Sequence, residues 1–154
     1  PDRIVIKSIE LDAPVQPAES KDVRIGSTHY QQWLAPDKLM VGWHTDSVPL
    51  GTAGNTVLNG HHNVYGEVFK RLVDLKSGDL IQVYSGVHRF DYRVTNSIIL
   101  PERFASMDER LDNARWLAPS LDTRLTLITC WPYESNTHRL IVVAQPVAKP
   151  DETK

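Results

Sequence analysis

TLITCWPYESNTHRL, residues 126–140, joins two apolar, β-branched runs through a short polar connection. The first run is TRLTLITC (123–130) and the second is HRLIVVAQ (138–145). Both read as strands. Pro132 has no N–H to donate, so pairing must stop near it. If the two runs pair as an antiparallel hairpin, their adjoining ends lie at one rim of a sheet. Cys130, the only cysteine, then ends one strand while Arg139 opens the next, and both face a common pocket.

Outward from this hairpin, further strands are expected. RIVIKSI (3–9) and DLIQVY (79–84) carry strand patterns, and HRFDYRV (88–94) alternates cleanly, with Phe90, Tyr92 and Val94 on one face. NTVLNGHH (55–62) reads as a short buried strand after the turn GTAG (51–54). Two prolines in LDAPVQPAES (11–20) are expected to break regular structure there. VYGEVFKRLVDL (64–75) spaces Val64, Val68, Leu72 and Leu75 as a short helix does. Residues 101–122 form a long connection with a helical turn near Glu109–Leu111, and connections of that length tend to be functional. The expected class is all-β: a closed or nearly closed barrel, which hides strand edges, with one or two short helices.

The 154 residues fit one domain, taken as 1–147 with a loose tail at 148–154. Basic and acidic residues nearly balance at 17 and 19, with no long run of like charge, which argues against a nucleic-acid or polybasic membrane surface. No apolar run approaches the roughly 20 residues of a membrane span. With one cysteine no internal disulfide forms, so packing alone holds the fold.

A free cysteine is most often a small buried hydrophobe. Cys130 departs from that by its place at a strand end beside a positive charge, the setting in which a thiolate becomes a nucleophile. Arg139 offers a permanent charge and a fork of donors suited to an oxyanion. Such a nucleophile needs a base or imidazolium partner. His61 has the best context among six histidines, because it ends the run TVLNG and follows Gly60, which tolerates a close approach. His62 and His138 are expected to point away, and His29 and His88 to be exposed. His44, in the turn-like GWHTDS, remains open as a rim residue.

The motif TLITC, with the strand-opening Arg139 and the upstream pair Gly60-His61, resembles the sortases, cysteine transpeptidases of the bacterial cell surface. RIVIKSIELDAPV and HNVYGEVFKRLVDLKSGDLIQV are also similar to that family, so the resemblance runs from about Arg3 to Val147. The short connection between Cys130 and Arg139 is closer to classes C to E than to class A. The resemblance implies an eight-stranded β-barrel with His61, Cys130 and Arg139 at one edge. No cofactor is expected, and Asp108, Glu109 and Asp112 lack the interleaved ligand pattern of a calcium site and read as a solvated face, so no metal is expected either. The resemblance also implies thioacyl transfer from a threonine in a C-terminal sorting motif to an amine of a cell-wall precursor or a pilin lysine. Thr129 would assist at the oxyanion, and Leu111, Trp116, Leu117 and Trp131 are candidate substrate contacts. Sorting-motif proteins and the amine acceptor would be the partners, at the outer face of the bacterial membrane, with the anchor outside this sequence.

Three other readings compete. A metal site from His61, His62 and Cys130 lacks any CxxC or HxxxH spacing. A papain-like hydrolase would carry a local signature around its cysteine that is absent here, and here His61 precedes Cys130 rather than following it. A non-catalytic peptide-binding barrel predicts that Cys130 is dispensable.

Overall fold

The structure, a computed structural model, describes residues 1–148. The expected tail beyond Ala148 lies outside the described residues. Ten strands form: β1 (Arg3–Ile6), β2 (Leu11–Pro17), β3 (Glu19–Ile25), β4 (Thr28–Leu34), β5 (Val41–Trp43), β6 (Gly54–Asn59), β7 (Leu80–Ser85), β8 (His88–Pro101), β9 (Thr123–Trp131) and β10 (His138–Pro146). Eight of them close into a barrel in the order β1-β2-β5-β6-β9-β10-β8-β7, and β3 pairs only with β4 in a separate hairpin. The expected all-β class and closed barrel are therefore what the chain adopts.

Alternation sets the wall. Leu125 and Leu127 of β9 and Leu140, Val142 and Ala144 of β10 point inward and are almost fully buried, as are Ile4, Ile6 and Ile81. Every residue of β6 is buried, as a central strand covered on both faces requires. β6 runs parallel to β9, pairing Asn59 with Ile128. That one pairing brings the end of β6 beside the end of β9, although the two are far apart in sequence.

Four expectations need correction. β1 stops at Ile6, and Lys7–Ile9 make a 3-10 turn that reverses the chain into β2. β2 is a strand despite Pro14 and Pro17. Val15 donates its N–H to Asp2 on the β1 side, so Pro14 faces the other way, where pairing with β5 begins only at Val15. Pro17 faces the β1 side beyond the start of β1, so neither proline removes a ladder bond. Residues 64–75 are not a helix beyond a 3-10 turn at Leu72–Asp74. Tyr65, Gly66 and Glu67 all take positive φ, which no α-helix tolerates, while Val68, Leu72 and Leu75 still bury their side chains. Apolar spacing there records burial, not helicity.

The fourth correction is the hairpin β3–β4, which the sequence pattern did not announce. Gly26 at φ +61° opens its two-residue turn with Ser27, as a type II′ hairpin needs. Its strands lack alternation because the hairpin lies outside the barrel and buries little of either face. The connection 101–122 holds one short helix, α1 (Met107–Asn113), capped by Ser106, whose hydroxyl accepts the Glu109 N–H. A 3-10 turn at Ala114–Leu117 follows. The buried Asn55 side chain donates to the carbonyls of Trp116 and Ala118 and accepts from Thr126, tying this connection to the barrel. Among the described residues no helix is long and apolar enough to cross a membrane.

Candidate active site

Cys130 of β9 stands directly opposite Arg139 of β10. Since Leu127 and Leu140 fill the barrel, Cys130 and Arg139 project from its outer face together with Ile128 and Ile141. The strand runs one residue past the cysteine, to Trp131, so Cys130 is held by the ladder on both sides. Arg139 Nη1 lies 3.5 Å from Cys130 Sγ. A guanidinium at that distance stabilises negative charge on sulfur, and later on an oxygen bonded to the adjacent carbon.

Glu102 stands behind the arginine. Its carboxylate accepts from Arg110 Nη2 at 3.0 Å and lies 3.9 Å from Arg139 Nη2. The carboxylate lies on the Nη2 side of the guanidinium, beyond hydrogen-bond distance, while Nη1 reaches the sulfur. Neither Glu102 nor Arg110 was legible as a site residue, because each looks like an ordinary loop charge until the fold sets them side by side.

His61 stands two residues past Asn59, the last residue of β6. Gly60 extends the parallel pairing by donating to Ile128 O at 3.2 Å, and its own carbonyl accepts the Thr129 hydroxyl at 2.8 Å. A Cβ on Gly60 would come within 2.7 Å of Phe69 and Val68, so only glycine lets the chain pass here. His61 Nε2 lies 3.2 Å from the Ala35 carbonyl and 3.4 Å from the Asp37 carboxylate, two acceptors for an N–H on that nitrogen. Thr129 faces the barrel interior and spends its hydroxyl on Gly60, so what it positions is the histidine loop.

His61, Cys130 and Arg139 line one cleft of about 590 Å³, with Thr129, Leu117, Glu102, Arg110 and residues 30–35 of the hairpin. An adjoining apolar hollow of about 330 Å³ shares Leu117, Ile128 and Arg139 and adds Leu111 and Met107 from α1. Of the five candidate substrate contacts, Thr129, Leu111 and Leu117 thus border these spaces. Trp116 and Trp131 do not. Trp116 sits on the Asn55 anchor through its carbonyl. Trp131 packs on the core and meets the His62 ring edge-on at 5.6 Å.

The remaining histidines sort by burial. His29 and His88 are exposed. His62 is 2% exposed, pointing away from the cleft between Trp131 and Tyr133, and burial pushes its pKa down. His44 is 5% exposed and forms the cleft's back wall, stacked on Trp33 at 4.9 Å with 15° between the rings. Burial holds its pKa down to about 4. No group of three or more His, Cys, Asp or Glu is arranged to hold a metal among the described residues. Asp108 and Glu109 sit instead in the first turn of α1, where acidic side chains suit the helix N-terminus.

Comparison with known proteins bears on this geometry. The family described as "Sortase domain" matches residues 4–147. Sortase SrtE1 from Streptomyces coelicolor is 28% identical over 125 residues, covering 77% of this chain but 35% of that protein. The chain thus spans about a third of that relative's length. Sortase C1 of Streptococcus agalactiae superposes with a TM-score of 0.72 at 25% identity, over 97% of this chain and 68% of the other. Sortase C-1 of Actinomyces oris gives 0.69 at 26%, over 96% and 73%. A lid mutant of Corynebacterium diphtheriae sortase A, at 24% identity, shares the fold with a TM-score of 0.71 over 98% and 72%. These names span classes A, C and E and leave the class open. With the family match covering nearly all of the barrel and its rim, the chain belongs to the sortase family.

Proposed function

We propose that this domain is a cysteine transpeptidase in which Cys130 is the nucleophile, His61 the proton carrier and Arg139 the oxyanion donor. The observation that carries the reading is the 3.5 Å contact between Arg139 and Cys130 inside a cleft that His61 also lines. The Cys130 thiolate attacks the carbonyl carbon of a threonine in the substrate's sorting motif. Charge passes to the carbonyl oxygen, where the guanidinium and nearby N–H groups receive it. The C–N bond then breaks, and His61 gives its proton to the leaving amine, so a thioester remains on the enzyme. An incoming amine attacks that thioester, loses its proton to His61, and displaces the thiolate as the new amide forms.

The proposed partners follow from that chemistry: proteins bearing the sorting motif as acyl donors, and a cell-wall precursor or pilin lysine as acceptor. The proposed place of action is the outer face of the bacterial membrane, with anchoring by a segment outside this sequence. Neither a cofactor nor a metal is assigned a role. Incubation with LPxTG-like and LAxTG-like peptides and an amine tests the reading, with ligated products and adducts read by mass. The expected result is an amide-linked product and a thioacyl adduct that Cys130→Ala does not form. Release of acid alone with amine present would make the protein a hydrolase, and an unchanged adduct in Cys130→Ala would remove the cysteine from the mechanism.

A further inference from the structure

The hairpin strand β4 has one edge that no strand pairs among the described residues. Ile25 lies opposite Thr28 across the two-residue turn, so the pairs that exchange N–H···O=C bonds with β3 are 25/28, 23/30, 21/32 and 19/34. The backbone groups of Gln31 and Trp33 therefore point away from β3. Among the described residues they meet no other backbone partner.

The direction of this edge follows from two observations. Ala35 continues the same parity, and its carbonyl lies 3.2 Å from His61 Nε2. Residues 30 to 35 also line the catalytic cleft one after another. A strand presenting a face contributes alternate residues to a cavity, whereas one presenting its edge contributes consecutive ones. The free edge of β4 thus looks into the cleft that holds Cys130 and Arg139. Trp33 is kept in place by its stack on the buried His44.

We propose that β4 is a docking edge for the sorting-motif segment of the substrate, which adds to it as an extended strand through the backbone of Gln31 and Trp33. The inference rests on the transpeptidase reading of Cys130. An extended peptide is the fitting occupant because outward N–H and C=O groups recur every second residue, about 6.8 Å apart, which is the repeat of another extended backbone. Continuity fixes the occupant further. A chain laid along this edge runs toward His61 at the Ala35 end and has Cys130 and Arg139 in the same cleft. Leu117 and Ile128 are there to receive apolar side chains.

Amide hydrogen exchange on the Cys130→Ala protein tests the proposal, with and without a sorting peptide that the wild type ligates. Exchange at the Gln31 and Trp33 N–H groups should slow at least about ten-fold, as a new hydrogen bond to an otherwise free amide demands. Tyr30 and Gln32, already bonded to β3, should not change. In otherwise wild-type protein, Gln31→Pro removes an outward N–H and the Gln31–Asp22 side-chain bond but leaves the backbone bonds to β3 intact, and Gln31→Ala, which removes only the side-chain bond, is its reference. KM should rise about five-fold with kcat retained, the worth of one lost hydrogen bond. Protection at Gln32 reports that the hairpin survives; if it is lost, the exchange result decides alone. A peptide that the wild type ligates but that leaves Gln31 and Trp33 exchange unchanged overturns the docking edge and spares the transpeptidase. Absence of ligation and adduct across the whole peptide set removes both.

Discussion

Cys130 and Arg139 are held by a strand ladder, whereas His61 is held by contacts converging from three separate segments. The first pair owes its geometry to register: once β9 and β10 align, a residue and its direct partner cannot miss each other. His61 sits past the end of β6 and depends on Gly60, on the Thr129 hydroxyl, and on Ala35 and Asp37 beyond the hairpin. The difference teaches how one rim divides its labour. Groups that must face one another at fixed distance are built into the sheet. The group proposed to give a proton to one amine and take one from another stands on a chain end whose neighbours are loops.

This contrast can be broken from either side. The largest effect is expected at the ladder. Arg139→Lys keeps the charge and the strand but loses the planar fork, and transfer should fall about a hundred-fold with the melting temperature unchanged. Single-turnover acylation and a thermal melt, run together, check it; retention of near-full rate would show that point charge suffices.

On the other side, Gly60→Ala forces a methyl group against Phe69 and Val68. Stability should drop by roughly 1–3 kcal/mol. Activity per folded molecule should fall as well, because the displaced loop carries His61. Urea unfolding and active-site titration separate the two, and a variant as stable as the parent would mean that the loop yields more easily than the packing suggests.

The smallest effect concerns the wall behind the histidine loop. His44 folds with a pKa of about 4, below its value of 6.5 in the unfolded chain. Between those values the unfolded chain binds the extra proton, so stability is full above pH 6.5 and falls as the pH drops toward 4. The loss between pH 7 and pH 5 should be roughly 1–2 kcal/mol. His44→Phe keeps a ring on Trp33 and cannot titrate, so it should flatten that slope. Equal slopes in both proteins would assign the pH dependence to other groups, with the buried His62 next in line.

How much of this was legible follows the same division. TLITC and HRLIVVAQ announced two adjacent strands because a fully buried wall demands an apolar residue at every inward position. Paired as a hairpin, the two strands bring Cys130 and Arg139 together. His61 was legible from its strand-end context and from the family resemblance. The hairpin β3–β4 was not, since its strands bury little of either face and show no alternation; the pair Gly26-Ser27 between two seven-residue runs was the one local signal. Residues 64–75 misled for the opposite reason. Their apolar spacing is genuine, but Tyr65, Gly66 and Glu67 turn left-handed and spend it on irregular burial.

The residue chemistry, six of the eight barrel strands and the pairing of Cys130 with Arg139 could be read from the sequence alone. Those depend on short-range pattern, where each inward position makes its own demand. Three things came from the tertiary fold alone: Gly60-His61 joins them through the parallel β6–β9 pairing, Glu102 stands beside Arg139, and a strand edge unpaired among the described residues borders the cleft. These meetings arise from long-range register and loop closure, and neither leaves a periodic mark on the residues that it brings together.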